Sequence, residues 1–378
     1  MLKRTMHVAM LAAVGALAMP TLAHATLITT TTNNFNLTRS VNDTLGANKN
    51  ASDGATSQSN VNLGTTTLGQ FNSATGVLTG VNVGLASTYK QSTNVSSAGT
   101  SAGSNMGNAN AIGTGSSAIK LTVPTNVSGA TANLSASDSC AGKPKDACNN
   151  GATSTTLNHN ATVGSANLND YVGGGTVGVT HTATSLSADT TLNSYNSQAT
   201  TASTLDWFGS LTASYSYLEH ASQSFDPWGN TVMNLNFGSV YQGDAVADLV
   251  FFIHNLAGDR VGLTMTGISE SGDSSNRFTT NVANFGTLAA GASTNYGASF
   301  LTDMIGSFGA IYEFTFADAA PDGAFATSTL GSGYKLTLNL SGSVVERPAD
   351  PAEVPEPASL LLLGLGAAAM GLRRKRKA

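Results

Sequence analysis

Short runs in which apolar and polar residues alternate recur along much of this 378-residue chain. Each run places its apolar side chains on one face of an extended strand. The clearest lie at residues 81–85, 177–181, 211–217, 312–316 and 336–340. Glycine-rich turns separate the runs, which is typical of antiparallel sandwiches. The pattern therefore predicts an all-β protein with two antiparallel β-sandwich domains, immunoglobulin-like or jelly-roll-like.

Two stretches depart from simple alternation. Residues 249–253 are apolar at every position, so we expect this strand to be buried on both faces. Residues 91–117 are rich in Ser, Gly, Asn and Ala, and we expect a long mobile loop there.

The C-terminal segment consists of three consecutive parts with different physical properties. Two prolines, which fix φ and lack a backbone donor, favour an extended and accessible stretch in the run Val354, Pro355, Glu356 and Pro357. An apolar helix is predicted at residues 358–372, about 22 Å long, whereas a comfortable membrane span needs about 20 residues. A short run of this kind can also be a buried core helix. The cations that follow favour a transmembrane helix, because a basic cluster resists translocation and stays on the cytoplasmic side: Arg373, Arg374, Lys375, Arg376 and Lys377.

This order of proline motif, short apolar helix and basic cluster at residues 354–378 resembles the PEP-CTERM sorting signal of Gram-negative bacteria. The resemblance implies that the segment is read by an exosortase, a membrane-embedded protease that cuts near the motif. It also implies a precursor anchored in the inner membrane, and a mature protein at the cell surface or outside the cell.

The N-terminal segment indicates export. Lys3 and Arg4 precede an apolar run at residues 8–19, and Ala23 and Ala25 supply the small residues that signal peptidase recognises. Residues 1–25 are thus predicted to be a helical signal peptide, handled by the Sec machinery and signal peptidase. A permanent N-terminal anchor is the alternative.

Charge narrows the choice of partners. The chain holds 17 Lys and Arg against 22 Asp and Glu, and seven of the cations lie in the two terminal segments. The body between them is acidic, which argues against nucleic acid and anionic membrane surfaces as partners. Charged residues make up only 10% of the chain, against about a quarter in ordinary domains, as in secreted bacterial β-proteins.

The chain has two cysteines, Cys140 and Cys148. In an oxidising compartment they are expected to form a structural disulfide that closes a small polar loop. A metal site is the alternative, although their spacing without a nearby histidine is poor for zinc.

The first of the two predicted domains spans residues 26–224. Two of its segments resemble the choice-of-anchor E domain. F-N-S-A-T-G-V-L-T-G-V at residues 71–81 is similar to its F-D-x-x-x-G-x-L-x-x-V opening, with Asn72 where Asp is more usual. L-N-D-Y-V-G-G-G-T-V at residues 168–177 is similar to its later L-x-x-Y-x-G-x-G-x-V segment. That family precedes sorting tails of several kinds and has no assigned enzymatic activity.

The second block, predicted at residues 230–345, resembles the immunoglobulin-like choice-of-anchor D domain. The motifs that carry this resemblance are F-G-S-V-Y-Q-G at 237–243, N-L-A-G at 255–258, F-G-T-L-A-A-G-A-S at 285–293 and L-N-L-S-G at 338–342. The resemblance implies an adhesive or spacing module, with residues 318–332 as an inserted loop. Residues 346–353 form a Pro-rich linker, expected to be stiff, exposed and suitable for cleavage.

Catalytic signals are weak. G-T-S-A-G at residues 99–103 matches a nucleophile elbow around Ser101, but that motif needs a strand before it and a helix after it. The candidate bases are scattered along the chain: His159, His181, His220 and His254. We therefore predict no catalytic residue and no enzyme.

Calcium is a further alternative. Asp318 with Asp322, and Asp273 with Asn276, hint at calcium loops but lack the full carboxylate ladder. No cofactor or metal site is predicted, and a structural Ca²⁺ is kept as an alternative.

The working hypothesis is an exported, non-enzymatic surface or matrix protein associated with biofilm exopolysaccharide. A carbohydrate-binding module is the first alternative, with Trp207, Tyr215 and Tyr217 as its aromatic cluster. Alternation nevertheless places the tyrosines inward. A secreted hydrolase is the second alternative.

Overall fold

The structure is a computed structural model. It describes residues 26–46, 53–99, 110–124, 127–141, 151–192 and 197–348, together with Gly364, Leu365 and Ala367.

Eight strands form the first sandwich. They are β1 (Leu27–Leu45), β2 (Thr56–Gly69), β3 (Val77–Gly99), β4 (Asn110–Thr122), β5 (Thr131–Ala141), β6 (Gly151–Thr162), β7 (Thr176–Leu192) and β8 (Ser197–Leu218). One sheet has the order β1-β8-β3-β6 and the other β2-β7-β4-β5. All their pairings are antiparallel. The chain crosses repeatedly from one four-stranded sheet to the other, and these two strand orders form a jelly roll.

Strand alternation builds the core of this sandwich. Val81, Val83 and Leu85 are 4% exposed or less, and Leu211 and Tyr215 on the neighbouring strand are fully buried. These are the faces that the sequence pattern predicted. Since successive side chains point to opposite faces, the intervening residues form the outer surface of the sheet.

The prediction of a mobile loop at residues 91–117 is wrong where the structure describes them. Residues 91–99 belong to β3 and residues 110–117 to β4. The inward polar side chains find partners inside the sandwich: Gln91 Nε2 donates to Ser203 Oγ at 2.8 Å and Thr93 Oγ1 to the Ala136 carbonyl at 3.2 Å. Because these buried groups are satisfied, a stretch of polar composition can form core strands.

Eight further strands form the second sandwich. They are β9 (Gln223–Ser224), β10 (Val232–Tyr241), β11 (Leu249–Asn255), β12 (Leu263–Ser271), β13 (Phe278–Thr280), β14 (Ser293–Phe300), β15 (Gly306–Asp318) and β16 (Ser332–Val345). The sheets run β10-β16-β15-β12 and β13-β14-β11-β9. β10 pairs with β16 in parallel, and the other pairings are antiparallel. This is an immunoglobulin-like order. The predicted fold class, two antiparallel β-sandwiches, is confirmed.

The prediction that β11 is buried on both faces is wrong. Phe251 and Ile253 are at most 1% exposed, whereas Val250 is 58% and Phe252 45% exposed. An antiparallel sheet needs to cover only one face. The sheet containing β11 packs one face on the core and leaves the other open, so an apolar run of five residues did not indicate two buried faces.

The two sandwiches interlock through residues 318–332, which the sequence predicted to be a loop. Its 3₁₀ turn, Thr327–Thr329, follows Ala326, which is fully buried in the core cluster of the first sandwich. Ala326 N donates to the Leu78 carbonyl at 2.8 Å, and Leu78 N donates to Thr329 Oγ1 at 3.1 Å. Val77 in turn packs in the core of the second sandwich.

The predicted terminal helices fall largely outside the described residues. Gly364, Leu365 and Ala367 are helical. Within the described part of the chain, no helix reaches the length and hydrophobicity that a membrane crossing requires.

Candidate functional site

The C-terminal segment leaves the second sandwich from the middle of a sheet. β16, its last strand, lies between β10 and β15, and residues 345–348 are exposed. The predicted linker begins at residue 346, so its first three residues are described and lie at the surface. The sorting residues themselves, Val354 to Pro357 and Arg373 to Lys377, lie outside the described residues.

A small set of contacts holds the start of this segment. Gln242 N donates to the Val345 carbonyl at 2.9 Å. Arg347 forms an ion pair with Asp244 through Nη2, and its guanidinium lies 5.7 Å from the ring centre of Tyr241. Since the Arg347 side chain is 63% exposed, the ion pair contributes little to stability.

At the other end, Ala23 and Ala25 lie outside the described residues. β1 begins at Leu27, which pairs with Tyr217. A chain cut before Thr26 would thus begin one residue ahead of the first strand. The signal peptide itself stays a prediction.

Cys140 belongs to β5, and Cys148 lies outside the described residues. The disulfide therefore stays a prediction.

Ser101, the residue of the nucleophile-elbow match, lies outside the described residues, whereas the candidate histidines are described. His181 is fully buried. Its ring centre lies 4.3 Å from that of Phe35 and 4.7 Å from that of Trp207, and Nε2 lies 3.0 Å from Thr66 Oγ1. Burial lowers the pKa of His181 to about 4. A neutral, enclosed imidazole of this kind is a packing residue.

His220 lies between the sandwiches. Its Nδ1 is 2.7 Å from Asp318 Oδ2 and its Nε2 is 2.8 Å from the Ser73 carbonyl. The hydrogen bond to Asp318 raises the pKa of His220 above its usual value. Both ring nitrogens face acceptors, so this site stabilises the charged imidazolium.

Two of the four suggested calcium residues, Asp318 and Asp273, accept hydrogen bonds from the protein itself. The Asp318 carboxylate accepts hydrogen bonds from Ala221 N at 2.9 Å, Gly331 N at 2.6 Å and the Tyr334 hydroxyl at 3.2 Å. Asp273 Oδ2 accepts from Phe278 N at 2.7 Å. Across the described residues, no group of three or more His, Cys, Asp or Glu is placed to hold a metal ion.

The aromatic cluster suggested for carbohydrate binding points inward. Trp207 and Tyr215 are fully buried. Trp207 Nε1 donates to Ser87 Oγ at 3.0 Å, and the Tyr215 hydroxyl donates to the Gly69 carbonyl. The exposed aromatic of this strand is Phe208, with 43% of its surface accessible. Sequence reasoning missed it, although the alternation that placed Trp207 inside also placed Phe208 outside.

The solved structures similar to this chain include three with small overlaps. The PapD-like domain 7 of human CEP192 is 13% identical over 33% of this chain and 87% of that domain, with a TM-score of 0.25. The Vibrio cholerae VesB protease is 19% identical over 35% of this chain and 37% of its own, with a TM-score of 0.22. WR4, a C. elegans MSP family member, is 8% identical over 30% and 93%, with a TM-score of 0.20. These scores are too low to carry an argument about fold or function.

No match was found among curated protein sequences. Residues 353–376 match the PEP-CTERM protein-sorting motif. The segment that leaves the second sandwich beyond Pro348 therefore carries a sorting signal, which supports an exported protein that is sorted by an exosortase.

Proposed function

We propose that this chain is an exported, non-enzymatic protein that an exosortase processes through its C-terminal segment. Its mature form lies at the cell surface or in the extracellular matrix, in association with exopolysaccharide. The observation that carries the proposal is the match of residues 353–376 to the PEP-CTERM protein-sorting motif. Before processing, the apolar run anchors the precursor in the inner membrane.

The position of the motif supports this proposal. A cleavable segment has to be extended and outside the fold. The last strand ends at Val345, residues 346–348 are exposed, and the motif begins at residue 353. An enzyme that cuts at or after the motif therefore leaves every strand of the second sandwich intact.

The two sandwiches support a spacing or adhesive role. We assign the first to a choice-of-anchor E-like domain and the second to a choice-of-anchor D-like domain, on the sequence motifs at residues 71–81 and 237–243. Their interlocked junction at Leu78 and Ala326 would make them one stiff unit outside the membrane.

A non-enzymatic role is supported by the uses that two of the four candidate histidines already have. His181 packs in the core of the first sandwich, and His220 joins Asp318 to the Ser73 carbonyl. Both are engaged in holding the fold, and neither is a free base in an open cleft.

The experiment is the intact mass of the protein from the producing bacterium, with its exosortase present and with it deleted. The test variant carries Pro355→Ala and Pro357→Ala, and the matched control carries Pro348→Ala and Pro351→Ala in the linker. We expect the wild type and the control to begin at Thr26 in both strains, and to lack the basic C-terminal cluster only when the exosortase is present. The test variant should keep its tail. A wild-type tail that is retained in both strains, or removed in both, would contradict the proposal.

A further inference from the structure

The outer surface of the sheet β1-β8-β3-β6 has an unusual composition. Its outward positions are the even-numbered residues of 30–44, 200–216, 80–96 and 152–162, which we call the outer polar face. Nearly all of them are Thr, Ser, Asn, Gly or Ala. Among these positions, the charged side chains are Lys90 and Asp206, and they lie directly opposite each other on β3 and β8. The face is therefore polar but almost without net charge.

Cross-strand pairs order this face. The hydroxyls of Thr32 and Thr212 are 2.9 Å apart, and those of Ser40 and Thr204 are 2.8 Å apart. Thr38 Oγ1 donates to Asp206 Oδ1 at 2.8 Å. Because such pairs fix side chains across strands, the hydroxyls lie in repeating rows, about 6.8 Å apart along each strand.

A trough lies across β8, β3 and β6, near one end of the face. Its volume is about 450 Å³. The residues that line it include Gly84 and Ala86 and three asparagines, Asn82, Asn158 and Asn160. A Cβ built on Gly84 would lie 2.9 Å from Asn160 Oδ1, so the glycine leaves room for that amide over the strand.

Phe208 lies diagonally across from Ala86, one of the residues that line the trough. It pairs with Thr88, whereas Ala86 pairs with the next outward residue of the same strand, Ser210. Phe208 and Ala86 are thus diagonal neighbours, with their Cα atoms about 7–8 Å apart. Its 43% exposure makes it the large aromatic side chain that this otherwise polar surface presents.

These groups match the chemistry of a sugar. A sugar hydroxyl both donates and accepts hydrogen bonds, and so do Asn amides and Thr or Ser hydroxyls. The C–H bonds on one side of a pyranose ring can pack on an aromatic face, which carries partial negative charge. A neutral ligand suits the face because it does not bury a charge without a partner.

The length of the face indicates a polymer. Residues 80–96 of β3 extend over about 54 Å, far beyond the trough, and outward hydroxyls and amides continue along both neighbouring strands. We propose that the outer polar face binds an extended chain of a neutral polysaccharide, with Phe208 packing on a sugar ring and the three asparagines binding its hydroxyls. This inference rests on the proposed association with exopolysaccharide and assigns that association to one surface.

The test uses the mature protein recovered from the producing bacterium. The probe is that bacterium's own exopolysaccharide, separated by anion exchange into a neutral and an acidic fraction. Binding is measured by retardation in native gels that contain either fraction. The test variants are Phe208→Ala, which removes the ring, and Ala86→Arg, which fills the trough from an exposed position.

Two matched controls are available. Phe252→Ala removes an aromatic ring of similar exposure, 45%, from the second sandwich. Ile112→Ala removes an apolar side chain that is 40% exposed on the opposite sheet of the first sandwich. Unfolding curves of all variants should match the wild type.

We expect retardation by the neutral fraction, roughly ten-fold weaker binding in Phe208→Ala, and its loss in Ala86→Arg. The controls should bind like the wild type. Binding to the acidic fraction alone would contradict the proposal that the ligand is neutral. Binding that neither test variant changes would contradict the proposal that the ligand lies on the outer polar face. A wild-type dimer that Phe208→Ala converts to a monomer would mark the face as a contact between copies and overturn the inference.

Absence of binding to both fractions would also overturn the inference. The intact-mass experiment separates this failure from that of the proposed function. A protein that loses its tail only with the exosortase present is sorted as proposed, whatever the outer polar face binds.

Discussion

His220 lies 2.7 Å from Asp318, measured from Nδ1 to Oδ2, while its other ring nitrogen faces the carbonyl of Ser73 in the first sandwich. One imidazole thus joins a buried carboxylate of the second sandwich to the backbone of the first. Arg260 donates from Nη1 to the His220 carbonyl at 3.0 Å and from Nη2 to Glu219 at 2.9 Å, so the neighbouring cation already has its own counter-charge.

The pH dependence of this contact follows from the raised pKa of His220. A raised folded-state pKa stabilises the fold fully below the unfolded value of about 6.5, and that contribution is lost as pH rises through the folded pKa. We expect His220→Ala to lower the urea unfolding midpoint more at pH 5.5 than at pH 8.5. His254→Ala, on the outer side of the second sandwich, is the control. An equal loss at both pH values would mean that His220 does not act as a cation.

His181 should show the opposite sign. Its pKa is lowered to about 4, so the unfolded chain takes up a proton below pH 6.5 before the folded protein does. Stability therefore falls as the pH decreases from 6.5 to 4, by up to about 3 kcal/mol for this group. The side chains around it, Phe35, Trp207 and Thr66, carry no charge to offset this loss.

The measurement is urea unfolding of the wild type and His181→Leu at pH 7 and pH 4.5. The variant should lose less stability on acidification than the wild type. If both lose the same amount, the buried ring is not the source of the acid sensitivity.

The contact of Ala326 with the first sandwich should couple the two domains. Ala326 is fully buried, so Ala326→Asp would place an unpaired carboxylate in that core, at a cost of several kcal/mol. We expect the wild type to unfold in one calorimetric transition and the variant in two. Ala289→Asp, at an exposed alanine of the second sandwich, should unfold like the wild type. Two transitions in the wild type would show that the junction does not couple the sandwiches.

Truncations that remove only residues beyond β16 should leave the fold unchanged, whereas truncations that remove part of β16 should destabilise it. A chain that ends after Pro348 keeps all of β16 and should melt within about 2 °C of the precursor. A chain that ends after Ser341 loses Val344, which is 2% exposed in the core, and the pairings of residues 342–345 with β10 and β15. Its second sandwich should lose several kcal/mol of stability. Equal melting temperatures for the two truncations would contradict the anchoring role of the end of β16.

Alternation along single strands was sufficient to predict the fold class. The buried positions of β3 and β8, such as Val83 and Leu211, follow directly from period-two patterning. The prediction failed at Gln91 and Thr93, because their burial depends on partners from β8 and β5 that no local pattern reveals. It also failed at Phe252, since an apolar residue on an open face looks the same in sequence as one in a covered face.

The sorting signal could be identified from the sequence, whereas the outer polar face could not. Residues 354–378 carry their signal in one continuous segment, so sequence alone identified it. The outer polar face joins residues from β1, β3, β6 and β8, and its near-neutrality becomes visible only when Lys90 and Asp206 are found opposite each other. Such a surface depends on the register of strands far apart in the chain.

The position of β16 also determines how the protein bears a mechanical load. A force on the C-terminal segment pulls along a strand that has a hydrogen-bonded neighbour on each side, β10 in parallel and β15 in antiparallel register. The ladders on both sides are loaded in shear, so many hydrogen bonds have to break together instead of opening one after another. A protein tethered through this segment would therefore hold under flow without unfolding the second sandwich.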